Sequence, residues 1–101
     1  MTKVKKIEIW GKEWFQKSYG NSYNAVKIYI NDKKVATLPI AYGYGSVYEQ
    51  RGEEWLEENG YLKGKQPFDY LTYYCRDRNI ELVRHKTEVS TERELKKFAN
   101  D

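Results

Sequence analysis

The stretch Ala25-Val26-Lys27-Ile28-Tyr29-Ile30-Asn31-Asp32-Lys33-Lys34-Val35-Ala36-Thr37-Leu38 decides the fold class. Successive side chains on a strand point to opposite faces, so Val26, Ile28 and Ile30 share one face. Ala25, Lys27, Tyr29 and Asn31 share the other. Asn31-Asp32-Lys33 supplies residues that tolerate tight-turn backbone angles, and alternation then resumes with Ala36, Leu38 and Ile40 on one side. This predicts a hairpin with one apolar face. Pro39 has no N–H for a ladder, so it belongs on an outward-facing edge or at a strand end.

Toward the N-terminus, Ile7-Glu8-Ile9-Trp10 alternates as a half-buried strand does. Residues 11–22 contain Gly11, Gly20, Asn21 and Ser22 and read as a loop or an irregular strand extension. Toward the C-terminus the period changes. Ser46-Val47-Tyr48-Glu49 matches a capping box, and Val47, Tyr48, Gly52, Trp55 and Leu56 then recur near helical spacing. Gly52 costs roughly 1 kcal/mol of helix propensity against alanine, which implies either close approach to the sheet or a local bend. Asn59-Gly60 offers a left-handed end, with Tyr61-Leu62 folding back.

After the connector Lys63-Gly64-Lys65-Gln66, Pro67 suits a first helical position, with Phe68, Leu71, Thr72 and Cys75 on one face and Asn79 as the stop. Ile80 to His85 reads as a fourth strand with Ile80 and Leu82 inward. Thr91-Glu92-Arg93-Glu94 is a second capping box, and Leu95, Phe98 and Ala99 give the last helix a short apolar stripe. Residues 1–101 are thus expected to form one α+β domain of order βββααβα. Its antiparallel sheet, of three to four strands, packs against helices.

Composition narrows the function classes. The 101 residues are 33% charged and 40% hydrophobic, as expected of a soluble globular domain. No apolar run approaches the ~20 residues that span a bilayer, and the start lacks the continuous apolar stretch of a secretory signal. Cys75 is the single cysteine, which excludes an internal disulfide and fits a reducing, cytoplasmic setting. No metal or other cofactor is expected. The net charge of +3 hides a segregation. Residues 1–39 hold eight lysines against three acids, residues 40–62 one arginine against five glutamates, and residues 63–101 nine basic groups against seven acidic ones.

Catalytic chemistry has little to work with. His85 lies between Arg84 and Lys86 with no carboxylate in the sequence to orient it. Cys75 sits on a helix's apolar face, where an inert small hydrophobe is the ordinary reading. Tyr42-Gly43-Tyr44-Gly45-Ser46 precedes a helix start but lacks the spacing of a phosphate loop, and Glu49, Glu53 and Glu54 follow at once. A glycine-enabled chain reversal is the better account. Catalytic residues are therefore expected to be absent.

Two binding readings remain. Lysines in the strand-rich half, with Lys5, Lys6, Lys27 and Lys34 as the expected contacts, alternate with Trp10, Trp14, Tyr19, Tyr23 and Tyr29. Cations neutralise phosphates while rings stack on bases. Alternatively, ten tyrosines are more than a small domain buries, and tyrosine supplies contact area at protein interfaces with few torsions to freeze.

Tyr19-Gly20-Asn21-Ser22-Tyr23, Val26-Lys27-Ile28-Tyr29-Ile30, Tyr42-Gly43-Tyr44-Gly45 and Glu54-Trp55-Leu56 together resemble a pattern in small uncharacterised bacteriophage accessory proteins. The likeness covers about residues 14–62. Asn24 and Ser46 stand where that pattern often has His and Asp. The resemblance implies a phage-encoded, non-enzymatic protein that binds and inhibits a host protein or ribonucleoprotein defence complex, such as a CRISPR effector, in the host cytoplasm. The expected contact surface comprises Tyr19, Asn21, Tyr23, Tyr42 and Tyr44 with Tyr48 of the adjoining helix. Nucleic-acid binding through the lysine-rich sheet is the alternative.

Overall fold

In the computed structural model, which describes residues 3–101, the alternating stretches become strands β1 (Lys6–Gln16), β2 (Asn21–Ile30), β3 (Lys33–Tyr42) and β4 (Glu81–Val89). Helices α1 (Val47–Glu58), α2 (Leu71–Asp77) and α3 (Glu92–Asn100) complete the order βββααβα. The strands lie side by side as β3-β2-β1-β4. β1, β2 and β3 are antiparallel neighbours, while β4 joins the outer side of β1 parallel to it. The sheet is therefore mixed but mostly antiparallel. The chain reaches β4 through α1 and α2, a crossover of the kind that parallel pairing demands.

β1 is longer than its sequence suggests. Residues 11–16 belong to the strand because β2 pairs along one edge of them and β4 along the other. Gly11 is not a loop signal here. A Cβ at that position would lie 2.7 Å from Cδ2 of Tyr48, so the glycine admits the tyrosine ring. Gly52 does the same from the helix side, where a Cβ would lie 2.8 Å from Cγ2 of Ile9. These two contacts seat α1 directly on the sheet.

Ile7, Ile9, Val26 and Ile28 are fully buried and pack with Tyr48, Leu56, Leu71, Tyr74 and Cys75. α1 and α2 therefore cover the same sheet face. α3 covers the opposite one, where Ala25 and Leu95 are fully buried and Phe98 meets Lys12 and Lys27. Each buried aliphatic side chain contributes roughly 1.5–3 kcal/mol through water exclusion, so most of the packing stability lies on the α1 face.

α1 and α2 stop as expected. Gly60 and Asn79 take left-handed angles (φ 79° and 56°). The following amides, Tyr61 N–H and Ile80 N–H, donate back to the carbonyls of Leu56 and Cys75. The two capping boxes differ. Thr91 accepts from the Glu94 amide at 3.2 Å, whereas the Ser46 side chain makes no capping bond. Glu49, its intended partner, instead accepts from the Tyr48 hydroxyl.

Three further expectations change. α2 starts at Leu71 rather than Pro67, because residues 66–69 close a turn in which the Asp69 carboxylate accepts from Gln66 N–H. Phe68 consequently stands 80% exposed instead of packing. Thr72 is likewise exposed, and Tyr74 takes the inward place beside Leu71 and Cys75. In β3 a register shift around Pro39 places Ala41 rather than Ile40 opposite Asn24, so the inward alternation ends at Leu38. Among the described residues no helix is long and apolar enough to cross a membrane.

Candidate functional site

Three strands bring one aromatic residue each to the same place. Trp14 pairs with Tyr23 in the β1–β2 ladder, and Tyr23 pairs with Tyr42 in the β2–β3 ladder. Side chains opposite one another across strands share a face, so the rings form a row. Trp14 stacks on Tyr23 with centroids 6.1 Å apart, and Tyr23 meets Tyr42 edge-to-face at 6.0 Å. Tyr42 is 66% exposed. Tyr44 follows it across the turn, and Tyr19 stands on the loop joining β1 to β2; both are exposed. Asn21, at the start of β2, pairs with Gln16 and is half-buried.

The row shares the α3 face of the sheet. Phe98 of α3 lies over Lys27, with the ammonium 4.5 Å from the ring centroid, and near Lys12. On this face Lys12 precedes Trp14 in β1, and fully buried Ala25 separates Lys27 from Tyr23 in β2. Trp14 and Tyr23 are half-buried, and Tyr42 on the edge strand is the exposed ring of the row.

The backbone beneath the row is fixed by a buried polar network. Asn24 is 1% exposed. Its Nδ2 donates to the Gly43 carbonyl at 3.1 Å, and its Oδ1 accepts from Arg51 Nη1 at 2.8 Å. Arg51 also donates to the carbonyls of Asn24 and Pro39. One guanidinium of α1 thus ties β2 and β3 together at the base of the Tyr42–Gly45 turn. Burial pushes the Arg51 pKa down, and Glu54 partly counters it. Glu13, also buried, accepts from Gly45 N–H at 2.9 Å and from Lys86 Nζ at 3.2 Å. Gly43 has φ +148°, and a Cβ there would sit 2.6 Å from Val47 Cγ1. The turn is therefore a rigid strand-to-helix connection.

Tyr48 stands apart from the other expected contact residues. Its ring covers Gly11 and only 6% of the residue is exposed. Burial, followed by Glu49, pushes its pKa up to about 12. It offers no free face, and its role is to seat α1.

The lysines of the alternative reading are mostly engaged. Lys6 bonds Asp32 at 3.1 Å, which together with nearby acids raises its pKa. Lys34 donates to the Asp101 carbonyl. Lys27 lies under Phe98, and burial lowers its pKa. Lys5 is exposed. These four do not converge on one bare surface.

Cys75 and His85 are not brought together as a nucleophile and its base. Cys75 is 1% exposed, and burial pushes its thiol pKa up, away from the reactive thiolate. His85 is exposed and packs edge-to-face on Trp10 at 5.1 Å. Among the described residues no three His, Cys, Asp or Glu side chains converge as metal ligands do.

Sequence reasoning placed Tyr23, Tyr42, Tyr44 and Tyr19 in one region. It missed Trp14 as their neighbour, and Asn24, Arg51 and Glu13 as their support. Trp14 could have been found had residues 11–16 been carried as strand, since alternation from Ile9 puts Trp10 and Trp14 on the face opposite Ile7. No family model, curated protein or solved structure matches this chain.

Proposed function

We propose that this protein is a non-enzymatic binding protein whose contact surface is the aromatic row Trp14–Tyr23–Tyr42, flanked by Tyr19 and Tyr44. One observation carries the reading. Tyr42, the exposed ring of the row, packs on half-buried Tyr23 beside half-buried Trp14, on strands held by a buried Asn24–Arg51 network, so the rings are pre-ordered before a partner arrives. Pre-ordered aromatic side chains lose little freedom on binding, which is why they dominate interface energetics. The resemblance to bacteriophage accessory proteins supplies the partner class: a host protein or defence complex, such as a CRISPR effector, that is inhibited by occupation of its surface.

The packing of α3 favours this over the nucleic-acid alternative, because the helix occupies the lysine-bearing part of the sheet. A protein partner captured from host lysate survives nuclease treatment, and its affinity changes little between low and moderate salt. Tyr42→Ala weakens that complex at least tenfold, the loss expected of an interface anchor. A complex that dissolves with nuclease, or whose affinity falls steeply with salt, overturns the reading.

A further inference from the structure

The sheet has two outer strands, and they are finished differently. β3 carries two register irregularities, a proline at position 39, and the Arg51 guanidinium on the Pro39 carbonyl. Such features obstruct pairing with another strand. β4 pairs with β1 in unbroken register from Glu81 to Val89 and contains no proline. Glu81 donates its N–H to the Lys5 carbonyl of the chain leading into β1. By strand alternation, residues 83, 85, 87 and 89 also turn their amides toward β1. Leu82, Arg84, Lys86 and Glu88 then direct N–H and C=O away from the sheet.

We propose that β4 pairs antiparallel with β4 of a second copy of this chain about a twofold axis at Lys86, joining two four-stranded sheets into one. Charge complementarity and ladder length together select the register: an axis at Thr87 also opposes Lys86 to Glu88 but keeps only residues 85–89 paired, because β4 ends at Val89. Outward-facing residues must oppose outward-facing residues for the amides to bond, which restricts the axis to a few positions. An axis at Arg84 sets that guanidinium against its own copy, and an axis at His85 sets Arg84 against Lys86. An axis at Lys86 sets Arg84 against Glu88 twice and Val83 against Val89 twice. Only Lys86 then meets its like, and each Lys86 is already paired with Glu13 of its own chain at 3.2 Å. Arg84 and Glu88 are both exposed and free to reach across.

Sedimentation velocity on the full chain at high micromolar concentration tests the pairing, with circular dichroism confirming that each variant is folded. The parent chain sediments at twice the monomer mass. Arg84→Glu and Glu88→Arg, each alone, juxtapose like charges twice and sediment as monomers. Mixing the two variants in equal amounts restores the dimer, because the two acidic positions of one chain then meet the two basic positions of the other. A parent chain that stays monomeric overturns the proposal. So does a dimer that persists in either variant alone, or a mixture that remains monomeric.

Discussion

Beneath α1 and α2 the sheet presents Ile7, Ile9, Val26 and Ile28, all fully buried. Beneath α3 it presents Lys12, Ala25 and Lys27, with Leu95 and Phe98 as the helix's contribution. The first face is closed by two glycine-permitted approaches, Gly11 to Tyr48 and Gly52 to Ile9. The second is closed by one short helix, and the same face carries the aromatic row, in which Tyr42 is exposed. The contrast separates labour within one sheet. Stability is concentrated on the α1 face, so side chains on the other are left available for contact.

The most severe way to break this contrast is to remove Leu56, which is fully buried on the α1 face. Leu56→Ala should cost about 2–5 kcal/mol in denaturant unfolding, through lost burial and the cavity left behind. Leu95→Ala, on the α3 face, should fall at the low end of that range, because a short terminal helix relaxes more easily around the gap. Equal losses would mean that the faces share stability evenly. A smaller effect is expected at the base of the row. Asn24→Ala leaves the Gly43 carbonyl without its side-chain donor and removes one of the acceptors of Arg51, and should cost ~1–3 kcal/mol. Smaller again is the difference between the capping boxes. Thr91→Ala should lose about 1 kcal/mol, whereas Ser46→Ala should lose a few tenths at most, since its hydroxyl caps nothing.

That last pair also shows how far the sequence could be read. The β2–β3 hairpin, the order of the elements and the helix stops at Gly60 and Asn79 were all legible, because local alternation and backbone chemistry fix them. What escaped depends on contacts between distant residues. Ser46-Val47-Tyr48-Glu49 has the form of a cap, but burial of Tyr48 on Gly11 draws the Glu49 carboxylate to the Tyr48 hydroxyl instead. Gly11 signals a loop in isolation and a close approach in the fold. The parallel placement of β4 has no local signature, and neither does the position of α3 over Lys12 and Lys27. The tyrosines of the candidate site were visible as residue types. Their assembly into a row came from cross-strand register, and their support came from Asn24 and Arg51, which lie 27 residues apart.

The double variant Tyr42→Ala, Tyr44→Ala tests the division of labour most directly, with equilibrium unfolding and affinity for the captured partner measured on the same preparation. The expected unfolding free energy lies within about 0.5 kcal/mol of the parent, as for exposed positions, together with loss of the complex. A variant that unfolds, or one that binds its partner as tightly as the parent, would contradict that division.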